Sequence, residues 1–113
     1  MKHHVFLVMF LVFGLIGAIR VNTQSPRDGM FFIHVNVKND GTKNLEDLKA
    51  RVYFYELGVL LQSSPFDLNN GDTDGKFISW NAPERVKPGD YLARITVSND
   101  DVRKVRHRYI ALG

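Results

Sequence analysis

The chain lacks cysteine altogether, and it lacks the short motifs that mark most enzyme active sites. Without cysteine it has neither a disulfide framework nor thiol redox chemistry. It contains no Gly-x-Ser-x-Gly elbow, no Walker phosphate loop, no His-Glu-x-x-His sequence and no Asn-x-Ser/Thr acceptor for N-glycans. Its formal net charge of +3 is too small to indicate a nucleic-acid partner. We therefore expect a protein that is not an enzyme and has no cofactor. Calcium is the one candidate ion.

A single long apolar run occupies residues 5–19, directly after Lys2 and two histidines. A basic start followed by about 7–15 apolar residues is typical of a secretory signal, whereas a membrane-spanning helix needs about 20 apolar residues. The run has no clear pair of small residues before a cleavage point, so a retained anchor is the alternative. We expect residues 1–19 to be a signal peptide or membrane anchor, and residues 20–113 to be one exported, extracellular or cell-surface domain. Membrane contact is expected only through residues 5–19, if they are retained.

Alternating apolar and polar side chains dominate the rest of the chain, most clearly in residues 30–37, 50–55 and 91–97. Because successive side chains of a strand point to opposite faces, this pattern predicts half-buried strands. Further short strands at 20–24, 59–61, 66–68, 77–80 and 104–112 complete an all-β fold, an antiparallel immunoglobulin-like β-sandwich of about seven strands. The expected inner rows are Phe31, Ile33, Val35 and Val37, then Ala50, Val52 and Phe54, then Tyr91, Ala93, Ile95 and Val97.

Tyr91 occupies a distinctive place, directly after the turn Pro88-Gly89-Asp90 and at the start of the penultimate strand. A tyrosine there matches the tyrosine corner of immunoglobulin-like domains, whose hydroxyl bonds to backbone a few residues upstream. The alternative is an ordinary core aromatic residue at the rim. Either role is structural.

Several short motifs together resemble the CARDB type of immunoglobulin-like domain. The motifs are Val35-x-Val37-x-Asn39-x-Gly41, Arg51-Val52-Tyr53, Phe77-x-x-Trp80 and Pro88-Gly89-Asp90-Tyr91. CARDB domains belong to bacterial and archaeal surface proteins and are associated with adhesion, so the resemblance implies an adhesive, non-catalytic role. The chain departs from the family in holding a single copy and in having a basic end at residues 103–109.

The segment Asn70-Gly71-Asp72-Thr73-Asp74-Gly75 is similar to the opening of a calcium loop. Oxygens at alternate positions, here on Asn70, Asp72 and Asp74, can converge on a hard cation. The twelfth position, where a bidentate glutamate is usual, is Asn81. The alternative is a plain polar turn between two strands.

Basic residues alternate along the last strand, where Lys104, Arg106 and Arg108 are expected on the outer face and His107 on the inner face. The last two strands of such a fold are neighbours, so these cations are expected to join the outer rows of other strands. Cations beside tyrosines could hold an acidic partner by charge and cation–π contact. The alternative is a solvated surface that protects an edge strand from aggregation. The predicted interaction face comprises Lys49, Arg51, Tyr53, Tyr55, Arg94, Lys104, Arg106 and Arg108.

These observations lead to two hypotheses about function. The first is a non-enzymatic cell-surface module that adheres to a protein or a glycan. The second is a subunit of an extracellular filament or surface layer, or a membrane-anchored accessory subunit, assembled through edges or apolar patches. Homo-oligomers are compatible with both, and neither involves nucleic acid.

Overall fold

The computed structural model describes residues 15–27, 29–83 and 85–113, and within these ranges it contains eight strands and no helix. In chain order the strands are β1 (Ile16–Arg27), β2 (Met30–Asn39), β3 (Leu45–Phe54), β4 (Val59–Gln62), β5 (Phe66–Leu68), β6 (Thr73–Asn81), β7 (Gly89–Ser98) and β8 (Arg103–Leu112). The described part has no helix of the length and hydropathy needed to cross a membrane. Residues 1–14, which hold most of the predicted signal or anchor, lie outside the described residues.

The strands form two sheets in which every pairing is antiparallel. The first sheet has the order β1-β2-β6. The second has the order β4-β3-β7-β8, and β5 pairs with the first part of β3. Ser63, which directly follows β4 in the connection to β5, is buried. Its hydroxyl accepts a hydrogen bond from the backbone N–H of Ala50 at 3.0 Å and donates one to the carbonyl of Ser64 at 2.9 Å.

One hydrophobic core joins the two sheets, and the inner rows predicted for β2, β3 and β7 are confirmed. Every residue of those rows is buried, as are Ile78 of β6 and the last apolar residues of β8. Trp80 is partly buried against the core, with its ring 5.7 Å from Phe54 and 6.1 Å from Phe31. Strict alternation fixed these faces because a shift of one residue would expose the whole apolar row.

The first strand begins four residues before its predicted start, at Ile16. Ile16 and Ile19 are both buried in the core. The backbone N–H of Asp40 donates to the carbonyl of Leu15 at 2.8 Å, and the ammonium of Lys104 donates to the carbonyl of Ile16 at 3.0 Å. Residues 16–19 therefore belong to the folded sheet. The side chains of Ile16 and Ile19 extend the core.

The tyrosine corner is confirmed. Tyr91 is buried, and its hydroxyl donates a 2.6 Å hydrogen bond to the carbonyl of Lys87, four residues upstream. This bond anchors the turn that leads into β7 to the core at that end of the fold.

A buried asparagine organises the opposite end. The side chain of Asn39 is fully buried, and its amide donates to the carbonyls of Lys43 at 2.8 Å and Leu68 at 3.0 Å. Its side-chain oxygen accepts from the backbone N–H of Gly41 at 2.9 Å. One side chain thus joins the β2–β3 loop to the end of β5.

Candidate interaction face

The basic residues of β8 lie on the opposite face from the one predicted. β7 and β8 pair without a register break, with Ile95 opposite Arg106 and Arg94 opposite His107. Directly opposed residues share a face, and Ile95 is fully buried. The expectation that His107 faces inward was therefore wrong. The core-facing side of β8 carries Lys104, Arg106, Arg108, Ile110 and Leu112.

The two arginines of this row fold back on their own strand. Nη1 of Arg106 donates to the carbonyl of Val105 at 3.0 Å, and Nη1 of Arg108 donates to the carbonyl of His107 at 2.8 Å. β8 is an edge strand of its sheet. Inward-pointing charges on an edge strand hinder the addition of another strand. This geometry favours the edge-protection alternative for these residues over membership of the interaction face.

Lys104 connects the same edge to the other sheet through its bond to Ile16. Burial lowers the pKa of its ammonium group, and repulsion by Arg106 lowers it further, while attraction by Asp40 acts in the opposite direction. Its role here is a structural contact between β8 and the beginning of β1.

The outer surface of the five-stranded sheet gathers aromatic, apolar and cationic side chains from four strands and a turn. Five members of the predicted face lie on this side, whereas Lys104, Arg106 and Arg108 do not. Lys49 lies at one end, opposite Ser98. We name the central surface the tyrosine–arginine face and define it by Arg51, Tyr53, Tyr55, Leu60, Leu92, Arg94, His107 and Tyr109.

The centre of the tyrosine–arginine face is a contact network around Arg94. The guanidinium carbon lies 5.4 Å from the ring centroid of Tyr53 and 5.8 Å from that of Tyr55. The two tyrosine rings meet edge to face, with centroids 5.2 Å apart and planes at 83°. The hydroxyl of Tyr55 and Nε2 of His107 are 3.0 Å apart, within hydrogen-bond distance. Cation–π contacts and ring packing thus fix the positions of these side chains before any ligand binds.

Large apolar side chains surround this network and are open to solvent. Tyr109 is 72% exposed and Leu60 is 58% exposed, and Leu92 lies directly opposite Tyr109. Single exposed apolar residues are ordinary on protein surfaces, but contiguous ones indicate binding sites. The arrangement offers a partner both apolar contact area and positive charge.

Three members of the tyrosine–arginine face, all on β7 and β8, were not predicted from the sequence: Leu92, His107 and Tyr109. The signal that could have found them was present in the sequence. Ile110 and Leu112 alternate at the end of β8 and are both buried. Using that apolar pair to fix the register would have placed His107 and Tyr109 outward.

The segment predicted as a calcium loop is partly strand. β6 begins at Thr73, and its residues Asp74 and Gly75 pair with β2. Oδ1 of Asp74 accepts a hydrogen bond from the backbone N–H of Gly75 at 2.8 Å. Across the described ranges no group of three or more histidine, cysteine, aspartate or glutamate side chains could hold a metal ion. The predicted ligands include only two carboxylates, so calcium at Asn70, Asp72 and Asp74 stays a prediction beside the plain polar turn.

Another exposed aromatic residue lies on the outer face of the three-stranded sheet. Phe77 is 57% exposed and stacks on His34, with ring centroids 4.2 Å apart. His34 and His107 occupy the outer faces of different sheets. They therefore cannot hold one metal ion between them.

No protein-family model and no curated protein sequence matches this chain. The resemblance to CARDB domains accordingly stays a prediction carried by its motifs.

Proposed function

We propose that this protein is a non-enzymatic recognition module that adheres to a protein or a glycan through the tyrosine–arginine face. The observation that carries the proposal is the contact of Arg94 with Tyr53 and Tyr55 on a surface where Tyr55 and Tyr109 are exposed. Tyrosine and arginine are the residue types most enriched where binding energy concentrates in protein interfaces. These residues lie outside the hydrophobic core, so their presence on an open sheet surface supports binding.

The proposal includes an immunoglobulin-like sandwich of the CARDB type. Two features support that assignment. The sheets have the orders β1-β2-β6 and β4-β3-β7-β8, and the hydroxyl of Tyr91 bonds to the carbonyl of Lys87 as in a tyrosine corner. CARDB-like modules imply adhesion at a prokaryotic cell surface, so the fold proposal and the function proposal agree.

Export is also part of the proposal, and the position of β1 bears on how it would occur. The apolar run at residues 5–19 shares its last residues with β1, which begins at Ile16. That run is well short of the roughly 20 residues of a membrane-spanning helix and fits the apolar core of a signal peptide. A cleaved signal is therefore favoured over an anchor, with the cleavage point before Ile16.

The first experiment measures adhesion of the purified, fluorescently labelled chain to intact cells of the source organism by flow cytometry. The test variant combines Tyr55→Ser with Tyr109→Ser, and the matched control is Phe77→Ser, which removes an exposed aromatic side chain from the other sheet. We expect half-saturation of the double variant to need at least about tenfold more protein, because two anchoring rings are lost. The control should bind like the wild type.

Fluorescence of Trp80 reports whether each variant keeps its packed core, since this ring lies against Phe54. Equal binding by all three proteins would contradict the proposal. Equal losses in the double variant and in Phe77→Ser would also contradict it, because adhesion would then not depend on the tyrosine–arginine face.

A further inference from the structure

Arg94 is a positive charge held in place by rings. It is half-buried, and two tyrosine rings pack against its guanidinium. Within the described ranges no carboxylate forms an ion pair with Arg94. The ion pair there joins Nζ of Lys38 and Oδ1 of Asp40 at 3.3 Å, far from this face. The guanidinium therefore keeps its charge and its hydrogen-bond donors available to a ligand.

Arg51 is the second cation of the face, and its partners are neutral. Nε donates to the side-chain oxygen of Gln62 at 3.0 Å, and Nη1 donates to the hydroxyl of Ser98 at 3.1 Å. These bonds orient the guanidinium without neutralising it. Because the side chain is already ordered, little conformational entropy remains to be lost when an anion binds.

The shape and composition of the face favour a protein ligand over a sugar ligand. The rings of Tyr53 and Tyr55 stand at 83° to each other, so they offer no common plane on which successive sugar rings could stack. Tyrosine and arginine enrichment on an open surface is instead characteristic of protein interfaces. The exposed rings and leucines provide apolar contact area of the kind that a peptide side chain fills.

We infer that the tyrosine–arginine face binds an acidic segment of a partner protein. Carboxylates of that segment pair with Arg94 and Arg51, and its apolar side chains contact Tyr109 and Leu92. The inference rests on the proposed function and adds the chemistry of the partner. A second copy of the chain is the wrong occupant, because two copies packed through this face would bring arginines toward arginines, and like charges across an interface disfavour association.

The experiment titrates the isotope-labelled full chain with poly-L-glutamate and follows backbone and arginine Nε–H signals by NMR. We expect the largest shifts at Arg94, Arg51 and the surrounding tyrosines, and weaker binding at higher salt. Arg94→Gln should weaken binding about fivefold, which corresponds to one lost charged contact. The matched control is Arg108→Gln, which removes the same charge from the inner side of β8 and should change the affinity less than about twofold.

Three outcomes would overturn the inference. The first is equal weakening by Arg94→Gln and Arg108→Gln, which would show attraction by net charge alone. The second is binding of polygalacturonate through the same residues as tightly as poly-L-glutamate, which would identify an acidic glycan. The third is a concentration-dependent shift of the face without any probe, which would identify self-association. If the Tyr55 and Tyr109 variant loses adhesion to cells while Arg94→Gln binds poly-L-glutamate normally, the proposed function stands and this inference fails.

Discussion

At the scale of single residues, buried polar side chains in this protein bond to backbone groups outside the regular ladders. Asn39, Ser63 and Tyr91 each make such bonds, and the described part of the chain has no buried side-chain nitrogen or oxygen without a partner. Leaving a buried polar group unsatisfied costs about 1–3 kcal/mol. These residues hold the turns and strand ends in place, so their contribution to stability exceeds what their hydropathy suggests.

The substitution Asn39→Asp tests this role. A carboxylate keeps an acceptor for the N–H of Gly41 but faces the carbonyls of Lys43 and Leu68 without a proton to donate. We expect the free energy of unfolding at pH 7 to fall by at least about 3 kcal/mol, because a buried charge is left unpaired. The new carboxyl should have a pKa above its unfolded value, so part of the lost stability should return as the pH is lowered toward 4.

Urea unfolding at both pH values measures the effect. The matched control is Asn44→Asp, which is exposed and needs only to accept from the N–H of Asn70. Its stability should stay within about 0.5 kcal/mol of the wild type. A loss of the same size in both variants would mean that the buried bonds of Asn39 are not the cause.

At the scale of strands, one edge strand of each sheet carries charges on its core-facing side. On β8 these are Arg106 and Arg108. On β6 they are Asp74 and Lys76, which lie opposite the buried Val37 and Val35 of β2. A charge that points inward at an edge would be buried without a partner if another strand were added, so edge-to-edge association is disfavoured. This weakens the hypothesis of a filament assembled through strand edges.

The prediction at this scale replaces Arg106 and Arg108 together by threonine, which retains strand propensity. We expect the variant to self-associate at concentrations where the wild type is monomeric, because the edge of β8 is no longer guarded. Sedimentation velocity over a concentration series measures this. The control removes two exposed lysines from loops, Lys43→Thr with Lys87→Thr, for the same change in net charge. A monomeric arginine variant, or equal association in the control, would exclude edge protection as the role of this row.

The strand faces show where sequence reasoning succeeds and where it fails. β2 alternates along its whole length, β3 does so from Leu48 to Phe54 and β7 from Tyr91 to Ile95, so their buried rows follow from the sequence alone. β8 carries basic residues and a terminal apolar pair on the same face, so its sequence favours both orientations, and its pairing with β7 shows that the apolar pair indicates the correct one. β1 begins inside a continuous apolar run, and contacts made by Asp40 and Lys104 place its first residue. Such contacts join distant parts of the chain, so no local sequence pattern predicts them.

At the scale of the whole molecule, the tyrosine–arginine face exists only because four strands meet in one sheet. Tyr53, Leu60 and Arg94 are side by side through pairings of β3 with β4 and β7, and His107 joins them through β8. The sequence identified four of the eight residues of this face, because the rows of β3 and β7 were assigned correctly: Arg51, Tyr53, Tyr55 and Arg94. It could not identify the complete surface, because that required the register of the last strand and the position of β4.

β1 and β8 run side by side in the same direction. The start of β8 contacts the start of β1 through Lys104 and Ile16, and the end of β8 contacts β1 through Ala111 and Thr23. The described chain therefore enters at one end of the fold and leaves at the other. A tensile load applied there acts along the strands and across ladder bonds that lie perpendicular to it, so many bonds must break together.

We expect high mechanical resistance in this direction, a useful property for a module that holds a cell to a partner under flow. The absence of cysteine allows attachment points to be chosen freely. Single-molecule pulling through Leu15→Cys and Ala111→Cys should give a clearly higher unfolding force than pulling through Leu15→Cys and Thr42→Cys, which opens the β1–β2 pair one bond at a time from one end. Similar forces in the two geometries would contradict this expectation. On this basis the position of Ile16 in the core matters for strength under load as well as for folding.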